Sequence, residues 1–204
     1  MASEGPAPDK ETNAATTGHP GARVFVALRI APEIAGELAQ MVRVPERFAV
    51  RRIAPADIHL TLVPPWKETS IPAAIEKLRG AADRAVPFSL AFERLSYGPQ
   101  PRRPRLLWAE CSADEALTTL RDALLAAFGQ RDERPFRPHV TVARIRGNGA
   151  ALARKQPIER ALAFSQRIET VELMQSPPAG EVGYRVLASL PLGASAMSTR
   201  VRAG

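Results

Sequence analysis

Two short stretches, Asp57-Ile-His59-Leu-Thr61-Leu-Val63 and Arg137-Pro-His139-Val-Thr141-Val-Ala-Arg144, share the pattern His-apolar-Thr-apolar and decide the predicted fold. In a β-strand successive side chains point to opposite faces, so each histidine shares a face with its threonine and the aliphatic residues share the other. We therefore predict two strands that bury their aliphatic faces and present an imidazole and a hydroxyl to one common cleft.

Further strands and helices surround these two strands. The hydrophobic patterns predict strands over 23–30, 53–63, 88–95 and 105–111, from about 136, over 164–174 and over 182–190. They predict one helix that begins at Pro32, one that follows Ser70 and one that follows Ser112 or Asp114, with a weaker helix over 150–162. Pro64-Pro65 is expected to end the first His strand, because proline cannot donate to a sheet ladder. The order of elements nearly repeats, which predicts a duplicated α+β unit whose two His strands are related by a pseudo-twofold axis.

The two ends of the chain differ from the middle in composition. Residues 1–22, rich in Ala, Pro, Gly, Thr and charge, and residues 193–204 are predicted to be flexible tails around a single bilobal domain over 23–192. His19 falls in the first tail, so His59 and His139 are the histidines that a scaffold can position. The single cysteine, Cys111, cannot form an internal disulfide and is predicted to be a small buried residue.

The composition favours a globular protein with an anionic partner. The chain has 204 residues, is 45% hydrophobic and carries a formal net charge of +7, mostly from an excess of arginine. Arginine suits phosphate recognition because its planar fork binds oxyanions bidentately, although most of these arginines are also explained as a solvated surface. The first twenty residues lack the apolar stretch of a signal peptide and no apolar run could span a membrane, so a cytoplasmic setting is expected.

A pair of histidines suits phosphodiester cleavage. One imidazole can take a proton from the attacking oxygen while the other, charged, protonates the leaving oxygen. Threonine hydroxyls on the same face can donate hydrogen bonds to the non-bridging phosphate oxygens. A metal site would need further ligands, of which only Asp57 shares the face, and a Ser-His-Asp hydrolase would need a G-x-S-x-G turn, which the sequence lacks.

At these residues the sequence resembles a known family. His59-Leu-Thr61-Leu and His139-Val-Thr141-Val match the paired signatures of the 2H phosphoesterases, and their surroundings resemble the RNA 2′,3′-cyclic phosphodiesterase branch, the 2′-5′ RNA ligase-like proteins. The similarity spans about Arg23 to Leu192 and includes, in order, the segments VFVAL, VRRIAPADIHLTL, RPRLLWAEC and FRPHVTVAR.

The resemblance implies a bilobal α+β fold in which two antiparallel sheets flank a central cleft. It implies the opening of a 2′,3′-cyclic phosphate to a 2′-phosphate without a metal or cofactor, with RNA ends or cyclic nucleotides as partners. A monomer is expected, although no sequence pattern specifies the oligomeric state. His59 would be the proton donor and His139 the base that activates water, an order that the sequence itself leaves open. Thr61, Thr141 and Arg144 would hold the phosphate. Arg144 has an odd offset from His139, so its role requires a bulge or a strand end.

One departure concerns the rim of the cleft. Family members commonly continue the first motif with an aromatic residue, Leu and Gly, whereas Val63-Pro-Pro-Trp66 follows here. Trp66, Phe136 and Tyr184 are candidate contacts for a nucleobase. The alternatives are burial under the adjacent loop for Trp66 and core packing for Phe136 and Tyr184. The rival hypotheses are a binding module for RNA or nucleotides without turnover, and a 2H phosphoesterase that acts on another small cyclic phosphate.

Overall fold

The structure, a computed structural model, describes residues 21–178 and 180–193. The strands are β1 (Ala22–Arg29), β2 (Val50–Arg52), β3 (His59–Glu68), β4 (Phe88–Gly98), β5 (Leu106–Cys111), β6 (His139–Ile145), β7 (Glu159–Ile168), β8 (Thr170–Gln175) and β9 (Arg185–Pro191). The helices are α1 (Pro32–Gln40), α2 (Ile71–Ala82), α3 (Glu115–Ala127) and α4 (Gly149–Lys155), with a 3-10 turn at Pro55–Asp57. The predicted tails, 1–22 and 193–204, lie outside the described residues except for Gly21, Ala22 and Gly193.

The strands form an antiparallel sheet that is symmetric about its centre. Its order is β7-β4-β5-β6-β3-β1-β8-β9, and β2 pairs with β6 beside this path. The two His strands, β3 and β6, meet at the centre through the pair Leu60 and Val140. Three strands continue the sheet on each side, so the predicted duplicated α+β architecture is confirmed. The two predicted antiparallel sheets are joined through β3 and β6 into one.

The helices cover the aliphatic face of the central strands. Leu60 and Leu62 of β3 and Val140 and Val142 of β6 are buried in one core with the apolar residues of α2 and α3. α2 contacts α3, β8 and β9, while α3 contacts β3 and β4. This burial fixes the register, because a slip by one residue would send the aliphatic side chains to the cleft face. Within the described residues no helix is both long and apolar enough to cross a membrane.

The ends of the helices follow the predicted signals. The Ser70 hydroxyl accepts a hydrogen bond from the Ala73 N–H at the start of α2, and the Asp114 carboxylate accepts from the Leu117 N–H at 2.8 Å at the start of α3. Asp114, not Ser112, is therefore the N-cap of α3. Gly129 follows α3 with a φ of 61°, a left-handed conformation that glycine adopts without strain.

The prediction that Pro64-Pro65 ends the first His strand is wrong. β3 continues to Glu68 and pairs Trp66 with Val24, whereas Val63 pairs with Val26. The shift in register gives β3 one extra residue at the prolines. A proline is tolerated at such a bulge because the ladder does not need its missing N–H there.

Three other predicted elements have different bounds. The His strand predicted from Ile53 starts at His59, after β2 and the 3-10 turn, and the strand predicted over 164–174 is two strands separated at Glu169. These two strands, β7 and β8, belong to opposite halves of the sheet. The helix predicted over 150–162 ends at Lys155, because Pro157 removes a helical donor and β7 begins at Glu159.

Candidate active site

Both His-Thr pairs lie on the face of the sheet that the helices do not cover. His59 and His139 each precede one residue of the central pair Leu60 and Val140. In this antiparallel register His59 lies across from Thr141, and Thr61 lies across from His139. The four side chains line one pocket of about 60 Å³, which is completed by Ile53, Asp57, Arg144 and Tyr184.

The two imidazoles are held in the same way. Nδ1 of His59 lies 2.7 Å from the carbonyl oxygen of Asp57, and Nδ1 of His139 lies 2.7 Å from the carbonyl oxygen of Arg137. A carbonyl can only accept, so Nδ1 carries the hydrogen in both rings. Nε2 is then the nitrogen of each ring that can take up or release a proton. This arrangement fits a general acid and a general base of matched geometry.

Burial makes both histidines weaker bases than free imidazole. Burial is the largest effect on the pKa of His59 and of His139, and it lowers both pKa values below 6.5 because the charged form loses hydration. The hydrogen bonds to the backbone carbonyls offset part of this effect. Nearby charges differ between the two rings: Arg144 lowers the pKa of His59, which Asp57 raises, whereas Glu110 raises the pKa of His139.

Each imidazole also packs against aromatic rings. The His139 ring lies 4.2 Å from the Trp108 ring of β5, measured between centroids, and the His59 ring lies 5.0 Å from Phe25 of β1. Tyr184 meets His59 edge to face at 4.9 Å. These contacts restrict rotation of the imidazoles and shield them from water.

Glu110 connects the side chains around His139 through hydrogen bonds. It lies opposite His139 in the pairing of β5 with β6, and its carboxylate accepts hydrogen bonds from Arg94 at 2.7 Å, Ser96 at 2.8 Å and the Trp108 indole at 3.2 Å. Burial raises the pKa of Glu110, but these hydrogen bonds together lower it below its usual value. Glu110 is therefore ionised at neutral pH beside His139.

A bulge brings Arg144 into the pocket. Trp108 pairs with Thr141, but the next residue of β5, Leu107, pairs with Ala143, so β6 contains one extra residue at Val142. The bulge reverses the alternation beyond it and turns Arg144 to the cleft face, where it lines the pocket. From the sequence, a phosphate-binding role of Arg144 was expected to require a bulge or a strand end. β3 has the equivalent bulge at Leu62, because Ala27 pairs with Thr61 and Val26 with Val63.

A larger groove of about 590 Å³ adjoins the small pocket. It shares Thr61, His139, Thr141 and Arg144 with that pocket and extends along an apolar wall of Leu106, Trp108 and Phe136. Phe136, a predicted base contact, lies in this groove under the guanidinium of Arg121, whose Cζ is 4.4 Å from the ring centroid. Arg121 is buried and donates to Asp132 at 3.1 Å, which ties the segment before His139 to α3.

The other two predicted base contacts, Trp66 and Tyr184, lie outside the large groove. Trp66 packs against Phe128 with ring centroids 4.7 Å apart and lines neither pocket. The extra residue at Pro64-Pro65 puts Trp66 on the same face as Val24, which belongs to the main core. Tyr184 lines the small pocket, and its N–H donates to the Asp57 carboxylate at 3.0 Å.

The structure also shows site residues that the sequence reasoning missed. Phe25, Trp108 and Glu110 were not singled out, although Trp108 and Glu110 belong to the segment RPRLLWAEC that resembles the family. Their alternation puts both on one face of β5. Within the part of the chain that the structure describes, no three residues among His, Cys, Asp and Glu cluster as metal ligands would.

Relatives of the chain are found by sequence. Two curated relatives are both named RNA 2′,3′-cyclic phosphodiesterase. The protein from Geobacillus stearothermophilus is 35% identical over 97 residues, which are 43% of this chain and 30% of that protein. The protein from Bacillus subtilis strain 168 is 33% identical over 100 residues, which are 45% of this chain and 54% of that protein. These alignments cover less than two thirds of either relative. A protein of the same name from Archaeoglobus fulgidus is 25% identical over 135 residues, which are 64% of this chain and 77% of that protein.

Solved structures share the fold. The protein TT0787 of Thermus thermophilus matches with a TM-score of 0.69 at 25% identity, over 84% of this chain and 98% of that one. LigT of E. coli, in complex with 3′-AMP, matches with a TM-score of 0.66 at 23% identity, again over 84% and 98%. The model of one family, the 2′-5′ RNA ligase superfamily, matches residues 30–177, which include both His-Thr strands. The resemblance seen in those strands is therefore confirmed, and this chain belongs to the 2′-5′ RNA ligase superfamily.

Proposed function

We propose that this protein hydrolyses 2′,3′-cyclic phosphodiesters of RNA ends or nucleotides to 2′-phosphomonoesters, with His59 and His139 as acid and base. The observation that carries the proposal is the matched pair of imidazoles across one pocket, each with Nδ1 hydrogen-bonded to a carbonyl and Nε2 left for proton transfer. The curated relatives named RNA 2′,3′-cyclic phosphodiesterase support the substrate class.

The reaction divides two proton transfers between the histidines. Neutral His139 takes a proton from water as the water oxygen forms a bond to phosphorus. The bond from phosphorus to the 3′ oxygen breaks, and charged His59 gives its proton to that oxygen. A 2′-phosphate and a 3′-hydroxyl result, and exchange of protons with solvent restores both rings.

The charges around the rings support this order of roles. Glu110 stabilises the imidazolium that forms when His139 accepts a proton, and its charge raises the pKa of His139. Arg144 lowers the pKa of His59, which makes His59 a better proton donor, although Asp57 offsets part of this effect. Each difference favours His139 as the base and His59 as the acid.

The remaining side chains of the pocket suit the phosphate. The Thr61 and Thr141 hydroxyls lie two residues along each strand from the histidines and can donate to the non-bridging oxygens as charge develops. The Arg144 guanidinium, turned into the pocket by the bulge, can bind an oxyanion through two N–H groups. This donor set matches an anion with two non-bridging oxygens.

Product analysis tests the proposal. The purified protein is incubated with a 2′,3′-cyclic mononucleotide, with and without EDTA, and the 2′- and 3′-phosphates are separated by chromatography. We expect only the 2′-phosphate, at a rate that EDTA leaves unchanged because the mechanism uses proton transfer and no metal. His139→Ala should form the same product about 10² to 10⁴ times more slowly. A 3′-phosphate product or an activity lost with EDTA would contradict this mechanism. Tight binding without turnover would identify a binding module instead.

A further inference from the structure

A second arginine, Arg51, lies beside Arg144 of the proposed phosphate pocket. β2 is a strand of three residues that pairs with β6 outside the main path of the sheet. In this pairing Arg51 lies directly opposite Arg144, and Arg52 lies opposite Ala143. The proposed mechanism uses Arg144 as a phosphate ligand, whereas Arg51 has no role in it.

The alternation along β2 shows which arginine faces the cleft. Ile53, two residues after Arg51, continues the pairing through its N–H, which donates to the Val142 carbonyl at 2.9 Å, and its side chain lines the small pocket. Residues two apart in a strand share a face, and so do residues paired across two strands. Arg51 therefore extends on the cleft face beside Arg144, whereas Arg52 extends on the opposite face.

Two guanidiniums in this arrangement repel each other. Like charges directly opposite in a sheet are destabilising unless an anion lies near them. Among the ion pairs of the described residues, none involves Arg51 or Arg144, and both side chains are exposed. Both arginines thus have no ion-pair partner among the described residues, and one of them, Arg144, lines a pocket that suits a phosphate.

Two of the other arginines near the site are differently placed. Arg121 and Arg134, on the wall of the large groove, both bind the carboxylate of Asp132, at 3.1 Å and 2.9 Å. Their charges are therefore partly neutralised within the protein. Arg51 has no carboxylate partner among the ion pairs of the described residues, so a second phosphate of a polynucleotide gains more by lying along β2 than by lying near Asp132.

We propose that Arg51 binds the phosphodiester on the 5′ side of the terminal nucleotide while Arg144 binds the cyclic phosphate. Neighbouring strands lie about 5 Å apart, so the two guanidiniums can reach consecutive phosphates of one chain. The inference rests on the proposed function and specifies its substrate as an RNA end of two or more nucleotides. A cyclic mononucleotide with a free 5′-hydroxyl offers Arg51 no phosphate.

The test compares two variants of the same strand on two substrates. The kcat/KM of wild type, Arg51→Ala and Arg52→Ala is measured for UpU with a terminal 2′,3′-cyclic phosphate and for uridine 2′,3′-cyclic phosphate. We expect Arg51→Ala to lower the preference for the dinucleotide over the mononucleotide by about tenfold or more, the effect of one lost charge-assisted contact. Arg52→Ala, the matched control on the opposite face, should leave that preference at the wild-type value.

The charge of the contact gives an independent readout. Dinucleotide binding is measured with UpU that ends in a 2′-phosphate, and the slope of log affinity against log salt concentration is determined. In Arg51→Ala this slope should become shallower by the contribution of about one phosphate contact, whereas in Arg52→Ala it should not change. Uridine 2′,3′-cyclic phosphate with a 5′-phosphate should regain part of the dinucleotide preference if the phosphate alone is recognised. No gain would mean that the second nucleoside is also required, which still supports an RNA end.

Two outcomes separate this inference from the function on which it rests. If wild type hydrolyses both substrates and Arg51→Ala and Arg52→Ala keep the same preference, the Arg51 site is contradicted and the proposed function stands. If wild type hydrolyses neither substrate, the proposed function fails, and the binding of UpU with its 2′-phosphate still decides whether Arg51 contacts it. Equal dinucleotide affinities of wild type and Arg51→Ala would then overturn the inference.

Discussion

Leu60 lies directly opposite Val140, and this pair joins the two His-Thr strands at the centre of the sheet. Each histidine comes one residue before its member of the pair, so an antiparallel register puts His59 and His139 on the same face, diagonal to each other. Burial of both aliphatic side chains in the core makes any slip of the register costly. The positions of the two imidazoles therefore follow from packing on the opposite side of the sheet.

The threonines should affect catalysis without affecting the fold. Thr61→Val and Thr141→Val keep the shape of the side chain and remove the hydroxyl, so each should lower kcat/KM by about tenfold to a thousandfold, the scale for one lost donor to a developing charge. Both side chains line the pocket rather than the core, so the circular dichroism should match wild type. Activity near the wild-type level in both variants would show that the hydroxyls do not contact the reacting phosphate.

The pH dependence should reflect the buried histidines. Burial lowers the pKa of both rings. The base is active when deprotonated and the acid when protonated, so both limbs of the pH profile should lie at lower pH than for free imidazole. The bell-shaped profile of kcat/KM should therefore centre below about pH 6.5, the unperturbed value. Arg144→Gln removes a charge that lowers the pKa of His59, so its alkaline limb should move to higher pH. A profile centred above about pH 7.5, one unit beyond that unperturbed value, would contradict the assignment.

Gly98 should be sensitive to a single added methyl group. A Cβ at Gly98 would overlap the indole of Trp108, which packs against His139. Gly98→Ala should lower the free energy of unfolding by about 1–3 kcal/mol and reduce kcat, because the displaced indole disturbs the imidazole. In the control, Gly80→Ala in α2, the new Cβ meets no heavy atom within 4 Å, and the helix should gain about 0.5–1 kcal/mol. Unchanged kcat in Gly98→Ala would show that Trp108 does not position His139.

Cys111 should be inert in the folded protein. Its side chain is buried, and burial raises the pKa of its thiol to about 12, so almost no thiolate is present at neutral pH. A thiol reagent such as DTNB should modify the protein only after it unfolds, and prior treatment should leave activity unchanged. Rapid stoichiometric modification of the native protein would show that the segment around Cys111 opens.

The centre of the fold could be predicted from the sequence because it depends on local alternation. Leu60 and Leu62 alternate with His59 and Thr61, and this pattern needs no knowledge of the neighbouring strands. The N-cap at Ser70 could be predicted for the same reason, since a cap is a contact within one turn, and the N-cap of α3 was limited to Ser112 or Asp114.

The features that were mispredicted or missed depend on partners in space. Whether prolines end a strand depends on whether the neighbouring strand needs their N–H, and the bulge at Pro64-Pro65 removes that need. The same inserted residue turns Trp66 into the core. Trp108 and Phe25 contact the histidines because β5 and β1 flank the central strands, an order that no local pattern specifies.

The most direct test of the paired-histidine mechanism is the set of single-turnover rates of His59→Ala, His139→Ala and the double variant on a cyclic nucleotide. Each single variant should lose about 10² to 10⁴ in rate, the usual scale for a positioned acid or base. The double variant should lose less than the product of the two losses, because either substitution already disables the shared step. All three should keep the wild-type circular dichroism, since the two imidazoles line the pocket. A folded His139→Ala protein that turns over at nearly the wild-type rate would contradict the mechanism.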